Sequence, residues 1–302
     1  MSQNFVKSWT NESLIRFQSG AAELIVCPRS GKILALNFKK SENSIFSLLV
    51  PPFESELKDT LLGMNCDRTQ FESADAWGWD ECWPTVGAHP AGLRDHGEIW
   101  GRQAVLESGN ESGNENSNNS INKGLFQNWN MNENVFSRKV TQKSVQGFCQ
   151  FEFTLDYPST IKLNDKNIEC LYASHALFIA DTDDELKWEN ESLFFPHETE
   201  KQANKFFISG NKFPLKVEFF RHKIGIKIEL EIQQSKTDCE LNQFKSPCFG
   251  IWWCNNAWGD GRHHRTVGIE ATSHLGDGPI FTTKQVQART IFEYSLKISE
   301  LN

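Results

Sequence analysis

The chain has 302 residues, with 31 Lys and Arg against 39 Asp and Glu and a formal net charge of −8. That is enough length for one or two domains, and 38% apolar with 23% charged residues supplies a core and excludes wholesale disorder. The acidic balance argues against a nucleic-acid partner, because counterion release needs clustered Lys and Arg.

The opening residues, Met1-Ser2-Gln3-Asn4-Phe5-Val6-Lys7-Ser8, carry no apolar h-region, so no secretory signal is read. No apolar run approaches the roughly 18 to 20 residues that span a bilayer; Ile45 to Pro52 is broken by Ser and Pro. A cytoplasmic protein with no membrane partner is expected. Eight dispersed cysteines contain no Cys-x-x-Cys pair. Zinc-type ligand spacing is therefore absent, and the thiols are expected to be reduced and buried.

Along the chain, Leu24-Ile25-Val26-Cys27 and Ile33-Leu34-Ala35-Leu36 flank Pro28-Arg29-Ser30-Gly31, which predicts a hairpin. Ser55 to Leu62 predicts at most one short helix. Trp77-Gly78-Trp79-Asp80-Glu81-Cys82-Trp83-Pro84-Thr85 follows, then Arg94-Asp95-His96-Gly97-Glu98-Ile99-Trp100-Gly101-Arg102. From Asn110 to Asn134 there are ten asparagines. Such a stretch buries too little apolar area to offset its ordering entropy, which predicts a mobile surface insert near 107–134, with Phe126 and Trp129 as the residues able to dock. Strand patterning resumes on both sides, so the insert is read as lying within one domain that spans 1–302.

Beyond it, two-residue alternation dominates. Cys149, Phe151, Phe153 and Leu155 share one face; so do Ile224, Ile226, Ile228, Leu230 and Ile232, and again Phe292, Tyr294, Leu296 and Ile298. Each run predicts a half-buried antiparallel strand, and many such strands predict an all-β sandwich with few short helices. Tyr172-Ala173-Ser174-His175-Ala176-Leu177-Phe178, Trp252-Trp253-Cys254-Asn255-Asn256 and Val267-Gly268-Ile269-Glu270-Ala271-Thr272 concentrate polar and aromatic groups in this half. Ten Trp and 23 Phe against three Tyr fit a large core, and Trp also suits stacking on sugar faces.

In order and character these segments resemble those of the aldose 1-epimerases, the galactose mutarotase-like proteins. That family carries an early Asp-His-Gly, a mid-chain (Ser/Asn)-His-x-x-Phe strand and a late (Gly/Ala)-Ile-Glu-Pro segment. Here Asp95-His96-Gly97, Ser174-His175-Ala176-Leu177-Phe178 and Gly268-Ile269-Glu270-Ala271 correspond, and the likeness runs from about residue 20 to 299. Trp79-Asp80-Glu81-Cys82-Trp83-Pro84-Thr85 looks like a segment found ahead of the histidine in a less characterised branch.

The resemblance implies a large antiparallel β-sandwich that interconverts the α and β anomers of a free sugar or sugar phosphate. Ring opening needs one group to take the O1 proton and another to protonate the ring oxygen O5, with no cofactor and no metal. It implies Glu270 as base, His175 as acid and His96 as support near the ring oxygen. Arg102 and Asp80 would bind sugar hydroxyls, with Asn255 as a further candidate and Trp77, Trp79 or Trp253 as a stacking floor. The implied partner is a small carbohydrate, met by a monomer or homodimer.

Two features depart from the family. Ala271 stands where a proline usually follows the glutamate, leaving the backbone there less constrained. The family's substrate-binding aspartate between the mid-chain His and the Glu has no clear counterpart; Asn255, Asn256 and Asp260 are the candidates. These departures motivate a second reading, a non-catalytic carbohydrate-binding or sugar-sensing protein. A third is oligosaccharide cleavage by Glu270 with Asp80, Glu81 or Glu98. Arg262-His263-His264-Arg265 fits a solvated loop better than a phosphate site.

Overall fold

The structure is a computed structural model that describes residues 14–52, 76–87, 94–100, 102–107, 124–131, 133–163, 165–195, 202–237, 247–255, 265–277, 280–282 and 288–301. The expected helix at Ser55–Leu62, together with Asn256, Asp260 and Arg262 to His264, lies outside the described residues.

Two nine-stranded sheets dominate, with strands numbered in chain order. The first runs β1 (Ile15–Ser19), β2 (Ala22–Val26), β3 (Ile33–Ser41), β5 (Trp79–Cys82), β12 (Ala173–Ala180), β19 (Arg265–Thr272), β18 (Cys248–Asn255), β15 (Gln202–Ser209), with β4 (Ser44–Ser47) paired to β3. The second runs β14 (Glu191–Phe194), β13 (Glu185–Trp188), β16 (Leu215–Arg221), β17 (Ile226–Thr237), β21 (Arg289–Glu300), β9 (Phe148–Pro158), β8 (Asn134–Val145), β7 (Gly124–Met131), β6 (Val105–Glu107). A small third sheet joins β10 (Thr160–Leu163), β11 (Lys166–Glu169) and β20 (Ile280–Thr282). The named pairings are antiparallel, as the alternation predicts. No helix among the described residues is long and apolar enough to cross a membrane.

The core lies between the large sheets. Phe151, Phe153, Leu155, Ile228, Leu230, Ile232, Tyr294, Leu296 and Ile298 of the second sheet meet Trp79, Ala176, Phe178, Ile251, Ile269 and Ala271 of the first. Each aliphatic side chain so buried contributes about 1.5–3 kcal/mol. The alternation expected from Ile224 starts two residues later. Gly225 takes a left-handed φ of 67° after a single 3₁₀ turn at His222–Ile224, and the strand begins at Ile226.

Part of the stretch expected as an Asn-rich insert is strand. Residues 124–131 form β7, paired along its length with β8, and residues 108–123 lie outside the described residues. Trp129 is 2% exposed and presses on Gly31, where a Cβ would fall 2.0 Å from the indole. Burial of one large aromatic face overrides the polar composition around it.

One polar network crosses the apolar core. Arg138 of β8 donates to Glu81 of β5 at 2.8 Å and also bonds the Gly31 carbonyl. Tyr172 donates to the other Glu81 oxygen at 2.6 Å and lies 3.3 Å from the Tyr294 hydroxyl. Burial raises the Glu81 pKa, with Arg138 and Tyr172 pulling against it. Glu81 and Ser174 are register partners on the face opposite Asp80 and His175.

Candidate active site

Strand alternation turns Asp80, His175, Glu270, Gly250 and Phe207 onto the outer face of the first sheet, away from the core. Registers place them in one row across β5, β12, β19, β18 and β15. His175 is opposite Asp80, Ala176 opposite Ile269 brings His175 beside Glu270, Gly250 is opposite Glu270, and Phe207 is opposite Gly250. The His175 Nε2 lies 3.8 Å from Glu270 Oε1, beyond a direct hydrogen bond.

The other carboxylate oxygen, Oε2, pairs with Lys205 Nζ at 2.9 Å. Gly250 makes this contact possible, since a Cβ there would sit 2.8 Å from Oε2 and 3.4 Å from the Phe207 ring. The same ammonium donates to Asp277 Oδ1 at 2.8 Å. The Asp277 carbonyl in turn accepts the Gly87 N–H at 2.8 Å, so three chain segments close around the carboxylate. At the other end of the row Asp80 is ion-paired with Lys32, whose Nζ lies 4.3 Å from the Trp77 ring centre.

His96 covers this row from the 94–100 segment. Its φ is 60°, an uncommon backbone state for a residue with a side chain and one found at functional sites. Gly97 follows at φ 81°, and a Cβ there would collide with the Trp83 backbone at 2.5 Å. The His96 N–H donates to the Val86 carbonyl at 2.8 Å, and its Nδ1 meets Asp95 Oδ1 at 3.1 Å. The turn thereby holds the His96 ring 4.9 Å from that of His175, centre to centre.

Burial sets the protonation states. It raises the pKa of Glu270, while the Lys205 ammonium acts in the opposite sense. It drives His175 well below the ordinary histidine value, assisted by the charges of His96, Lys205 and Lys32. His175 is therefore a neutral imidazole near pH 7, able to donate a hydrogen bond but poor as a proton source. Burial works against the charge on Lys205 too, but Glu270 and Asp277 together outweigh it and raise its pKa. Burial pushes the Cys248 thiol up to about 12 and Cys82 well above its usual range, so neither is a nucleophile. Among the described residues no group of His, Cys, Asp and Glu is arranged to hold a metal.

Solved structures share this architecture. A GalM/aldose epimerase homologue from C. elegans superposes with a TM-score of 0.55 at 10% identity, covering 96% of this chain and 99% of that one. A galactose mutarotase-like protein from Clostridium acetobutylicum gives 0.55 at 12%, with 95% of each covered. A galactose mutarotase related enzyme from Lactobacillus acidophilus gives 0.53 at 10%, with 96% and 97% covered. The chain has the galactose mutarotase-like fold. Neither a protein-family model nor a curated protein matches the sequence.

On this mutarotase-like sandwich the residues expected to form a site divide by strand face. His96, His175, Glu270 and Asp80 converge. Trp79 does not: it is fully buried on the core side, 4.9 Å from Phe153 and 6.0 Å from Tyr294, and offers no stacking face. Trp253 packs toward the core, whereas its neighbour Trp252 shares the face of Glu270. Asn255, 3% exposed, has the parity of Trp253 and therefore the wrong face. Trp77 lies on the correct face but is closed into an apolar cluster with Val50, Leu177 and Cys254, at 2% exposure. The Arg102 fork bonds the Glu98 carbonyl at 2.6 Å and its carboxylate at 3.1 Å. Glu81, considered as a second carboxylate for hydrolysis, is on the core face with Arg138 and cannot oppose Glu270.

The sequence reading missed Lys205 and Asp277. Alternation in Asn204-Lys205-Phe206-Phe207-Ile208 puts Lys205 on the face opposite Phe206 and Ile208, which is a weak signal because solvent is the usual place for Lys. Asp277 follows Gly276 in a turn, where an aspartate needs no other explanation.

Proposed function

We propose that the chain is an aldose 1-epimerase-like isomerase, built as one domain, that interconverts the α and β anomers of a free aldose or aldose phosphate. The observation that carries this reading is the placement of a buried carboxylate and an imidazole 3.8 Å apart, with a second imidazole held over them. O1 and O5 share one carbon, so two groups this close can each reach one of them. Glu270, with its pKa moved up by burial, takes the O1 proton. His175 faces O5 and donates an N–H hydrogen bond to it, and His96 steadies the same oxygen. The C1–O5 bond opens, C1–C2 rotates, and closure from the other face inverts the centre. Asp80 and Asp277 border this row as candidate ligands for sugar hydroxyls, Asp277 standing in for the aspartate the family carries earlier in its chain.

Cys82, Cys149, Cys170 and Cys248 are buried free thiols, which supports a reducing compartment such as the cytoplasm. Saturation-transfer NMR on glucose, galactose and their 6-phosphates tests the activity. Exchange between anomers above the buffer rate is expected for at least one of them. Buffer-rate exchange for every aldose tried overturns the reading.

A further inference from the structure

We propose that Lys205 is the acid of this reaction, its ammonium delivering a proton to the ring oxygen while Glu270 removes the one on O1. The assignment rests on the isomerase reading and asks where the second proton comes from. The Lys205 side chain is 24% exposed beside the Glu270 carboxylate, and its ammonium has a proton to give where His175 is a neutral imidazole. Two contacts fix the ammonium, Glu270 Oε2 at 2.9 Å and Asp277 Oδ1 at 2.8 Å. A third proton on Nζ is left for a ligand.

The surroundings of Lys205 are mapped strand by strand. Glu270 faces it from β19 and Asp277 from the segment that follows. The Phe207 ring of its own strand lies 5.5 Å from Nζ. His175 on β12 and His96 are the nearby imidazoles, and the thiols of Cys248 on β18 and Cys82 on β5 are held protonated. Lys205 is thus a cationic proton donor in direct contact with the proposed base.

The step balances. The Glu270 carboxylate takes the O1 proton, the O1–H pair becomes the second C1=O1 bond, and the C1–O5 pair moves to O5. O5 takes a proton from Nζ. The ion pair has become a neutral carboxylic acid and a neutral amine, 2.9 Å apart in the resting site. Ring closure on the other face runs the transfers in reverse.

Lys205→Ala tests this by chemical rescue in the full chain. Anomer exchange is expected to fall about 10²–10⁴-fold. Methylammonium and ethylammonium should restore part of it, in proportion to their concentration and with a rate that follows the acidity of the amine. Tetramethylammonium, which has the charge but no proton, should restore none. An undiminished rate in Lys205→Ala, or equal rescue by tetramethylammonium, overturns the assignment. Should that variant fail to fold, Lys205→Arg decides: a guanidinium keeps the charge but does not surrender a proton, so a comparable loss is expected and a wild-type rate overturns the proposal. Wild-type protein inactive on every aldose removes the isomerase reading itself, a result distinct from active protein indifferent to residue 205.

Discussion

Ala271 donates its backbone N–H to the Ser174 hydroxyl at 2.9 Å, tying the residue after Glu270 to the residue before His175. The β12–β19 register runs from Ala173 opposite Thr272 and resumes at Ala176 opposite Ile269; between them this side-chain bond takes the place of a ladder bond. The Ser174 hydroxyl also bonds Tyr294, which joins it to Tyr172 and Glu81 in the core. A proline at 271, usual in the family, would stiffen the backbone by its ring and would lack this N–H. Here a hydrogen bond holds the backbone beside Glu270 where a proline ring would otherwise stiffen it.

Ser174→Ala leaves that buried N–H without its acceptor. The expected cost is about 1–3 kcal/mol of stability, read by chemical denaturation, with slower anomer exchange because Glu270 is less firmly placed. Ala271→Pro removes the donor. In a double-mutant cycle Ser174→Ala should therefore cost less on the proline background than on wild type; additive costs would show that the bond does not hold the strands together.

Glu270→Gln keeps the shape of the side chain and removes its ability to accept the O1 proton. Anomer exchange should drop by about 10²–10⁴-fold, measured by saturation transfer, while sugar binding measured by calorimetry persists. The amide no longer pairs electrostatically with Lys205, so a modest change in affinity is compatible with this outcome; a variant with wild-type exchange is not.

How much of this was legible in the sequence follows from strand parity. The alternation at 148–155, 226–232 and 292–298 gave the sheets directly, because each apolar face became core. That His96, His175 and Glu270 come together was legible from motif order. The tryptophans were not, since choosing among neighbours requires the face of each strand. Asp80 and Trp79 are adjacent, so a site that takes Asp80 must lose Trp79 to the core, and the same rule exchanges Trp253 for Trp252. Lys205 and Asp277 were illegible for a different reason. Each is ordinary in its local context, and only the missing side chain at Gly250 and the turn at 273–277 bring them to Glu270.

The pH dependence of stability should carry the mark of His175. Its pKa in the folded protein is well below the 6.5 of an unperturbed histidine, so the unfolded chain binds its proton first. The stability associated with this residue is fully present above about pH 6.5 and is lost as pH falls through the folded value. Glu270 acts with the opposite sign. Its folded pKa is raised from 4.5, so its contribution is full below 4.5 and diminishes as pH rises through the folded value. His175→Gln should flatten the decline of the melting temperature on acidification below pH 6.5. An unchanged slope in thermal melts would place the titration elsewhere, with His274, also lowered by burial, as the next residue to replace.

Arg138 and Glu81 provide the sharpest test of the scaffold beneath the site. Their side chains are 0% and 2% exposed, and the guanidinium joins β8 to β5 through the core. Arg138→Met leaves Glu81 buried with Tyr172 as its remaining partner among these bonds, and breaking one side of a buried pair costs about 3–5 kcal/mol. Much of that cost is the stranded carboxylate. Adding Glu81→Gln should therefore recover a large part of it, because a neutral amide is far less costly to bury than an unpaired charge. The Tyr172–Tyr294–Ser174 path runs from Glu81 to the backbone beside Glu270, so Arg138→Met should also slow anomer exchange, and the second substitution should restore stability more fully than rate. Recovery of both in parallel would mean that the network supports the fold without orienting the base.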